Sequence, residues 1–391
     1  MRSLSGLGSE WEPALSRRGF VAAAGLGAAG LVLPGCTSIG GQPAPTTRPS
    51  LCLPPVKVSR NRIVRELVGL RPYRDGGFVV REEPIGGKRL VHNYGHGGAG
   101  ITLSWGTSKL ATQLGLQGHQ GSVAVLGAGV VGLTTARLVQ EAGFPVTIYA
   151  QALPPDTTSN IAGGQWLPSY YYDRSSVTPQ WRAQNEAAID YAYRRFQIMV
   201  GEAYGISWKT HYFESSPPPP DAHLVAANAP TRPGLKWLGP GEHPFPMDWV
   251  RQYQVMFIEP HRFLPRLMQD IRAAGGRIAV RSFSSPADVS ALSESLVFNC
   301  TGLGARALFG DQDLRPVRGQ LVVLPPQPEV NYAFGGGRGY MFPRTDGIIL
   351  GGSYGEDDWS TVPDPATTDR ILAAHQSVFD NLACRPKPAA A

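Results

Sequence analysis

Gly127, Gly129 and Gly132 stand in the order G-x-G-x-x-G within Gly127-Ala128-Gly129-Val130-Val131-Gly132. Glycines so spaced let a chain hold a dinucleotide pyrophosphate. The first makes the tight turn, the second lets backbone approach the phosphates, and the third lets a helix pack closely on a strand. The flanking residues predict the elements this chemistry needs. Gly121 to Leu126 is a short apolar run suited to a buried parallel strand, Leu133 to Ala142 reads as a helix ended by Gly143, and Pro145 to Tyr149 reads as a second strand. The amides of Ala128, Gly129, Val130, Val131 and Gly132 then face the phosphates at the helix N-terminus. One departure stands out. The acidic residue that grips ribose hydroxyls about 20 positions on is missing, and the second strand runs out in Tyr149-Ala150-Gln151. Glutamine hydrogen-bonds a ribose without charge assistance.

Three further segments carry small residues where backbone can approach a ligand. Thr157-Thr158-Ser159-Asn160-Ile161-Ala162-Gly163-Gly164-Gln165-Trp166-Leu167-Pro168 supplies hydroxyls and then a glycine pair. Val297 to Ala305, with Thr301-Gly302, is a strand running into a small-residue turn, and Arg315 to Gln320 precedes an apolar strand. Upstream of the fingerprint lies a denser tract, His92-Asn93-Tyr94-Gly95-His96-Gly97-Gly98-Ala99-Gly100-Ile101-Thr102-Leu103-Ser104-Trp105-Gly106.

The N-terminus reads as an export signal. Ser16-Arg17-Arg18-Gly19-Phe20-Val21 is a twin-arginine pattern, and the apolar run from Val21 to Leu33 is too short to span a bilayer but suits a signal core. Leu33-Pro34-Gly35-Cys36 looks like a lipobox. Two outcomes stay open: membrane attachment through a lipidated Cys36, or plain cleavage near it. The twin-arginine route carries folded proteins, often with cofactor bound, which favours a cofactor enzyme. Residues 37–57 form a Pro/Gly/Ser/Thr-rich linker. The net charge of +6 is spread without basic runs, which argues against nucleic acid as a partner. Four cysteines occur, at 36, 52, 300 and 384, with no metal-ligand spacing. Cys300 reads as a buried thiol, and in an oxidising compartment Cys52 and Cys384 can pair.

Taken together, the motifs resemble the D-amino-acid oxidase family of FAD-dependent amine oxidoreductases, from about Val58 to about Cys384. In family order the fingerprint comes first. The Thr157–Pro168 loop, the Asn299–Gly302 turn, Arg318-Gly319-Gln320, Gly339-Tyr340-Met341-Phe342-Pro343 and Leu350-Gly351-Gly352-Ser353-Tyr354-Gly355 follow. The family then closes on a Gly-Leu-Arg-Pro segment and a His-Asn-Tyr-Gly-His-Gly-Gly tract. Here those two, Gly69-Leu70-Arg71-Pro72 and His92–Gly98, come first, as in a circularly permuted chain. Leu103 to Leu116 resembles the family's final helix, and the new ends fall between a helix, Thr368 to Cys384, and a strand-like run, Arg62 to Leu67.

The resemblance implies an α/β fold: a Rossmann-like FAD-binding domain (88–181 and 246–318) with an α+β substrate domain on a mixed or antiparallel sheet (58–87, 182–245 and 319–384). It implies that Cys52 and Cys384 lie near each other and form a disulfide across the re-cut connection. The implied reaction is oxidation of an amine beside a carboxylate, giving a 2-oxo acid and ammonia, with oxygen or another electron acceptor. Arg71 and Tyr340 match the family's carboxylate ligands, and Gly98 matches the residue whose carbonyl faces the substrate amine. The backbone of Gly97, Gly98, Gly100, Ile101 and Thr102 would lie along the flavin. The fingerprint turn, Gln151, Thr157, Thr158, Gly164, Gln165, Thr301 and Gly302 complete the FAD contacts. His92 and His96 orient the loop and are not bases, because hydride transfer from a neutral amine needs none. Some members carry a second tyrosine four residues before Tyr340, where this chain has Gly336. Substrate choice therefore does not carry over. A D-aspartate or glycine oxidase, a flavin dehydrogenase using another acceptor, and a degenerate flavoprotein that only binds a ligand remain alternatives.

Overall fold

The structure is a computed structural model that describes residues 52–383. The expected signal, Cys36 and Cys384 lie outside the described residues. In chain order the strands are β1 (Arg65–Tyr73), β2 (Val79–Ile85), β3 (Lys88–Tyr94), β4 (Val123–Leu126), β5 (Val146–Ala150), β6 (Ile206–Glu214), β7 (Lys236–Leu238), β8 (Val250–Ile258), β9 (Arg277–Val280), β10 (Leu296–Asn299), β11 (Arg315–Leu324), β12 (Tyr332–Gly336), β13 (Gly339–Arg344), β14 (Gly347–Gly351) and β15 (Gly355–Glu356). The helices are α1 (Gly100–Leu116), α2 (Val130–Glu141), α3 (Pro179–Gln197), α4 (Ala222–Ala227), α5 (Pro260–Ala273), α6 (Pro286–Ser290), α7 (Gly304–Phe309) and α8 (Pro365–Phe379).

Two sheets organise these elements. The first has the order β2-β3-β10-β4-β5-β9. Its strands β3, β10, β4, β5 and β9 run parallel, while β2 folds back on β3 as an antiparallel hairpin. β4 and β10 are buried throughout, as parallel strands covered on both faces must be. α1, α2, α3 and α5 pack with this sheet in one core, through Leu103, Trp105, Leu133, Val139, Ala188, Phe196 and Phe263 among others. The second sheet has the order β1-β11-β14-β13-β12-β6-β8-β7, with β15 added beside β11. It is antiparallel except where β12 runs parallel to β6. α8 packs on one of its faces through Ile371, Leu372, Val378 and Phe379, against Met341, Val322 and Leu350.

The α/β class and the βαβ unit around the fingerprint are as expected. Several boundaries differ. β2 lies in the first sheet, although 58–87 was assigned to the other domain, because the tight turn at Gly86-Gly87 pairs it with its sequence neighbour. β8 lies in the second sheet, not the first, because it pairs with β6 along its whole length. α3 packs in the first core, since Gly106 lets α1 approach the Ala188 backbone until a Cβ there would collide with it. α8 starts at Pro365, with Asp364 capping the Ala366 and Thr367 amides, and it ends before residue 384. β1 runs on through Arg71, and Arg318-Gly319-Gln320 lies inside a strand instead of before one.

Candidate active site

The fingerprint turn joins β4 to α2. Gly127 sits at φ 105°, and a Cβ there would lie 2.5 Å from the Cys300 carbonyl oxygen. A Cβ at Gly132 would run into the Gly127 carbonyl. Strand, turn and helix thus meet at the distance that only glycine permits. α2 has a glycine, Gly129, at its N-cap, so that residue offers no capping side chain. Its Val130 amide donates to Ser159 Oγ at 3.0 Å, so the Thr157–Pro168 loop closes over the helix N-terminus. Ser159 was not among the residues expected there, although the run of three hydroxyls at 157–159 was a signal for it. Thr158 opens a short 3-10 turn, while the Thr157 hydroxyl donates to Asn160 Oδ1 at 2.8 Å.

The His92–Gly106 tract is the connection from β3 into α1, and it lies at the same carboxyl edge of the sheet. β3 borders β10, and β10 borders β4. Asn299, at the end of β10, holds both sides: its Nδ2 is 2.9 Å from His92 Nδ1, and its Oδ1 accepts from Thr301 Oγ1 at 2.7 Å. The other His92 nitrogen faces Glu83 at 3.0 Å. His96 is buried with Nε2 2.8 Å from Thr107 Oγ1, and burial pushes its imidazole down to about 3, so it is neutral at any working pH. Both histidines are tied into the scaffold. Gly97 and Gly98 press on the 169–171 backbone, where the Gly98 N–H donates to the Tyr170 carbonyl at 3.0 Å. That N–H is therefore committed, and the next donors along the tract are the first-turn amides of α1, from Gly100, Ile101 and Thr102. The Thr102 hydroxyl is 3.2 Å from the Leu167 carbonyl and from the Leu167 amide, pinning α1 to the end of the Thr157–Pro168 loop.

The other residues expected to contact FAD lie just past β5, in the turn between β10 and α7, and in the Thr157–Pro168 loop. Gln151 is exposed just past β5, and Gly302 has φ 57° with no atom within 4 Å of a Cβ built on it. Gly164 sits at φ 92° against the Ile258 carbonyl. The Gln165 side chain turns away to His211, with Nε2 3.0 Å from Nδ1, and its carbonyl accepts from the Leu167 amide at 3.1 Å.

Arg71 and Tyr340 come from strands three places apart. β1 carries Arg71 and β13 carries Tyr340, with β11 and β14 between them. They meet because the intervening strands lack side chains at the crossing. A Cβ on Gly319 of β11 would fall 2.5 Å from both terminal nitrogens of Arg71, and one on Gly351 of β14 would run into the Tyr340 ring. Neither glycine was recognised from sequence, because their role appears only once the register aligns Gly351 with Tyr340. Burial raises the Tyr340 hydroxyl above its ordinary range, while the charge of Arg71 and a hydrogen bond with it pull back in the other direction. Tyr340 also stacks on Phe342, with centroids 4.6 Å apart. Arg71 Nη1 is buried without a well-formed partner among the described residues. A guanidinium N–H so placed requires an acceptor, and a planar carboxylate meets the fork in two bonds. The same loop that covers α2 reaches this clamp: Ile161 packs on Gly69, and Gly163 packs on Phe342 and Tyr340.

The chain matches the DAO family, described as FAD dependent oxidoreductase, over residues 50–114 and 122–390. The protein belongs to that family. It is similar to a D-amino-acid oxidase of Streptomyces coelicolor, 34% identical over 260 residues that cover 65% of this chain and 76% of that one. It is also similar to a human D-aspartate oxidase, 32% identical over 258 residues, 64% of this chain and 74% of that one. Among solved structures its fold is like that of a glycine oxidase from Bacillus cereus, with a TM-score of 0.51 at 14% identity over 67% of this chain and 78% of the other. FAD is the cofactor of the family, and the residues present fit it. Glycines at 127, 129 and 132 open the turn, the N-cap of α2 is a bare Gly129, and the Thr157–Pro168 loop and the tract converge on the same edge.

Proposed function

We propose that the protein oxidises D-amino acids at Cα, yielding a 2-oxo acid and ammonia, with hydrogen peroxide formed when oxygen takes the electrons. The observation that carries this reading is the Arg71–Tyr340 clamp, with Arg71 Nη1 unpartnered among the described residues, beside the edge where the tract and fingerprint meet. FAD, when bound, accepts a hydride from the substrate carbon. The chain's own work is orientation. Arg71 and Tyr340 hold the α-carboxylate, and the Gly98 carbonyl takes the amine. The amides of Gly100, Ile101 and Thr102 stabilise negative charge on the cofactor side. No side chain is assigned as a base, and His92 and His96 serve as struts. The test is a peroxide-coupled screen of D-amino acids, glycine and N-methyl amino acids. Turnover of at least one D-amino acid supports the reading, and no turnover of any amino acid refutes it.

The same proposal includes the permutation, the two-domain division along the two sheets, and export by the twin-arginine route. For the permutation, β3 and the tract lie beside β10 and β4 although they precede β4 in the chain, and the two ends of the described chain share one cluster through Leu53 and Leu382. Cys52 is disulfide-bonded, whereas Cys300 is a buried free thiol. Pairing of Cys52 with Cys384 would close the re-cut connection and suits an oxidising compartment. Non-reducing peptide mapping of exported protein should recover a Cys52–Cys384 peptide. A free Cys384 thiol in that material would eliminate the pairing.

A further inference from the structure

We propose that His375 is a positioning residue for Tyr340, and that α8 braces the carboxylate clamp from behind the sheet. This rests on the reading of Tyr340 as a carboxylate ligand. α8 packs on the face that carries Met341 and Leu350, the neighbours of Tyr340 and Gly351. Alternation along the strands puts Arg71, Tyr340 and the two bare glycines on the opposite face. His375 is 1% exposed, with Nε2 3.0 Å from the Tyr340 carbonyl oxygen and Nδ1 2.7 Å from the Ile371 carbonyl oxygen.

A neutral imidazole has one N–H, so only one of these contacts is a hydrogen bond. Burial holds this ring below its usual range, in the neutral form. Ile371 lies four residues before His375 in the helix, so its carbonyl already has the His375 backbone N–H as donor. With the ring proton on Nε2 it is donated to the Tyr340 carbonyl, the contact that ties α8 to β13. The ring is held for this task. It stacks on Phe379 with an interplanar angle of 15°, and a Cβ on Gly339 would lie 3.1 Å from its Cε1. Two helical turns earlier, on the same side of α8, Thr368 does the equivalent for the other half of the clamp. Gln320 Nε2 donates to Thr368 Oγ1 at 2.8 Å, and Gln320 follows Gly319, the glycine beneath Arg71. One helix side thus fixes the strand positions of both clamp residues.

The experiment compares His375→Phe, which keeps an aromatic ring without a donor, with His375→Gln, which can still donate, in the FAD-loaded full chain. Loss of one neutral hydrogen bond should raise KM for the amino acid by about tenfold in His375→Phe. The kcat should stay within about twofold and bound flavin should be unchanged, with most of the KM recovered in His375→Gln. A merely structural role would lower Tm in both variants and leave KM at the wild-type value, and that result overturns the proposal. If His375→Phe does not fold, His375→Met against His375→Gln makes the same comparison. Failure of the oxidase reading is distinguishable, because the wild type itself would then not reduce its flavin with any amino acid. Positioning is read in that case from benzoate affinity, followed by perturbation of the flavin absorbance. Weaker benzoate binding in His375→Phe sustains it, and equal binding overturns it.

Discussion

Replacing Arg71 by alanine should lower kcat/KM for every amino-acid substrate by roughly 30- to 5,000-fold, while the protein keeps its fold and its bound flavin. The range follows from truncating one partner of a desolvated charge pair, which costs about 2–5 kcal/mol, at 1.36 kcal/mol per factor of ten. The structural reason is specific to this arginine. Its guanidinium lies over Gly319, its Nη1 has no well-formed partner among the described residues, and its influence reaches the Tyr340 hydroxyl. Substrate, not protein, is the group that loses by its removal. Arg74, three residues on, is the contrast: it is salt-bridged to Asp311 at 2.9 Å, so Arg74→Ala should reduce stability and leave KM nearly unchanged. Arg71→Lys should fall between wild type and Arg71→Ala, because an ammonium keeps the charge and loses the planar fork. Steady-state kinetics with flavin content measured on each preparation check all three.

The second large effect should come from one carbon atom at Gly351. A Cβ there runs into the Tyr340 ring, and the ring has little room to retreat. Phe342 stacks on it at 4.6 Å, and His375 meets its backbone carbonyl at 3.0 Å. Overpacking of this kind costs about 1–3 kcal/mol. Displacing the ring also forfeits its hydrogen bond to the substrate carboxylate, worth about 1.5–3 kcal/mol for a charged partner, so Gly351→Ala should raise KM by roughly 10- to 150-fold at 1.36 kcal/mol per factor of ten, with FAD still bound. Gly319→Ala should act on the Arg71 side in the same direction. A folded, flavin-loaded Gly351→Ala enzyme with wild-type KM would show that the ring does not hold the carboxylate.

The parts of the site readable in sequence were those built from contiguous residues. The G-x-G-x-x-G turn, the tract and the Gly-Leu-Arg-Pro segment each carry their chemistry within a few positions, and the βαβ elements around the turn were placed to within a few residues. What escaped is set by contacts between distant strands. Gly319 and Gly351 matter because they lie between Arg71 and Tyr340, and that crossing exists only after β1, β11, β14 and β13 are paired. Arg318-Gly319-Gln320 did not read as strand because its polar side chains break the apolar alternation. In the folded chain they are buried, with Arg318 bonded to the Ser360 and Val362 carbonyls and Gln320 to Thr368. His375 carries no local signal, since a helical histidine points to nothing until its partner strand is known. Gln165 sits in the loop expected for it, but His211 offers its amide a partner from β6, and the side chain follows.

The central claim is that the Arg71–Tyr340 clamp presents an amino acid to the flavin of this enzyme. It is tested most directly by mixing the purified yellow protein with a series of D-amino acids under nitrogen and following the flavin absorbance. Wild type should bleach with at least one D-amino acid, and Arg71→Ala should bleach roughly 30- to 5,000-fold more slowly at equal flavin content. Persistent yellow colour with every amino acid, or equal bleaching rates in the two proteins, would contradict it.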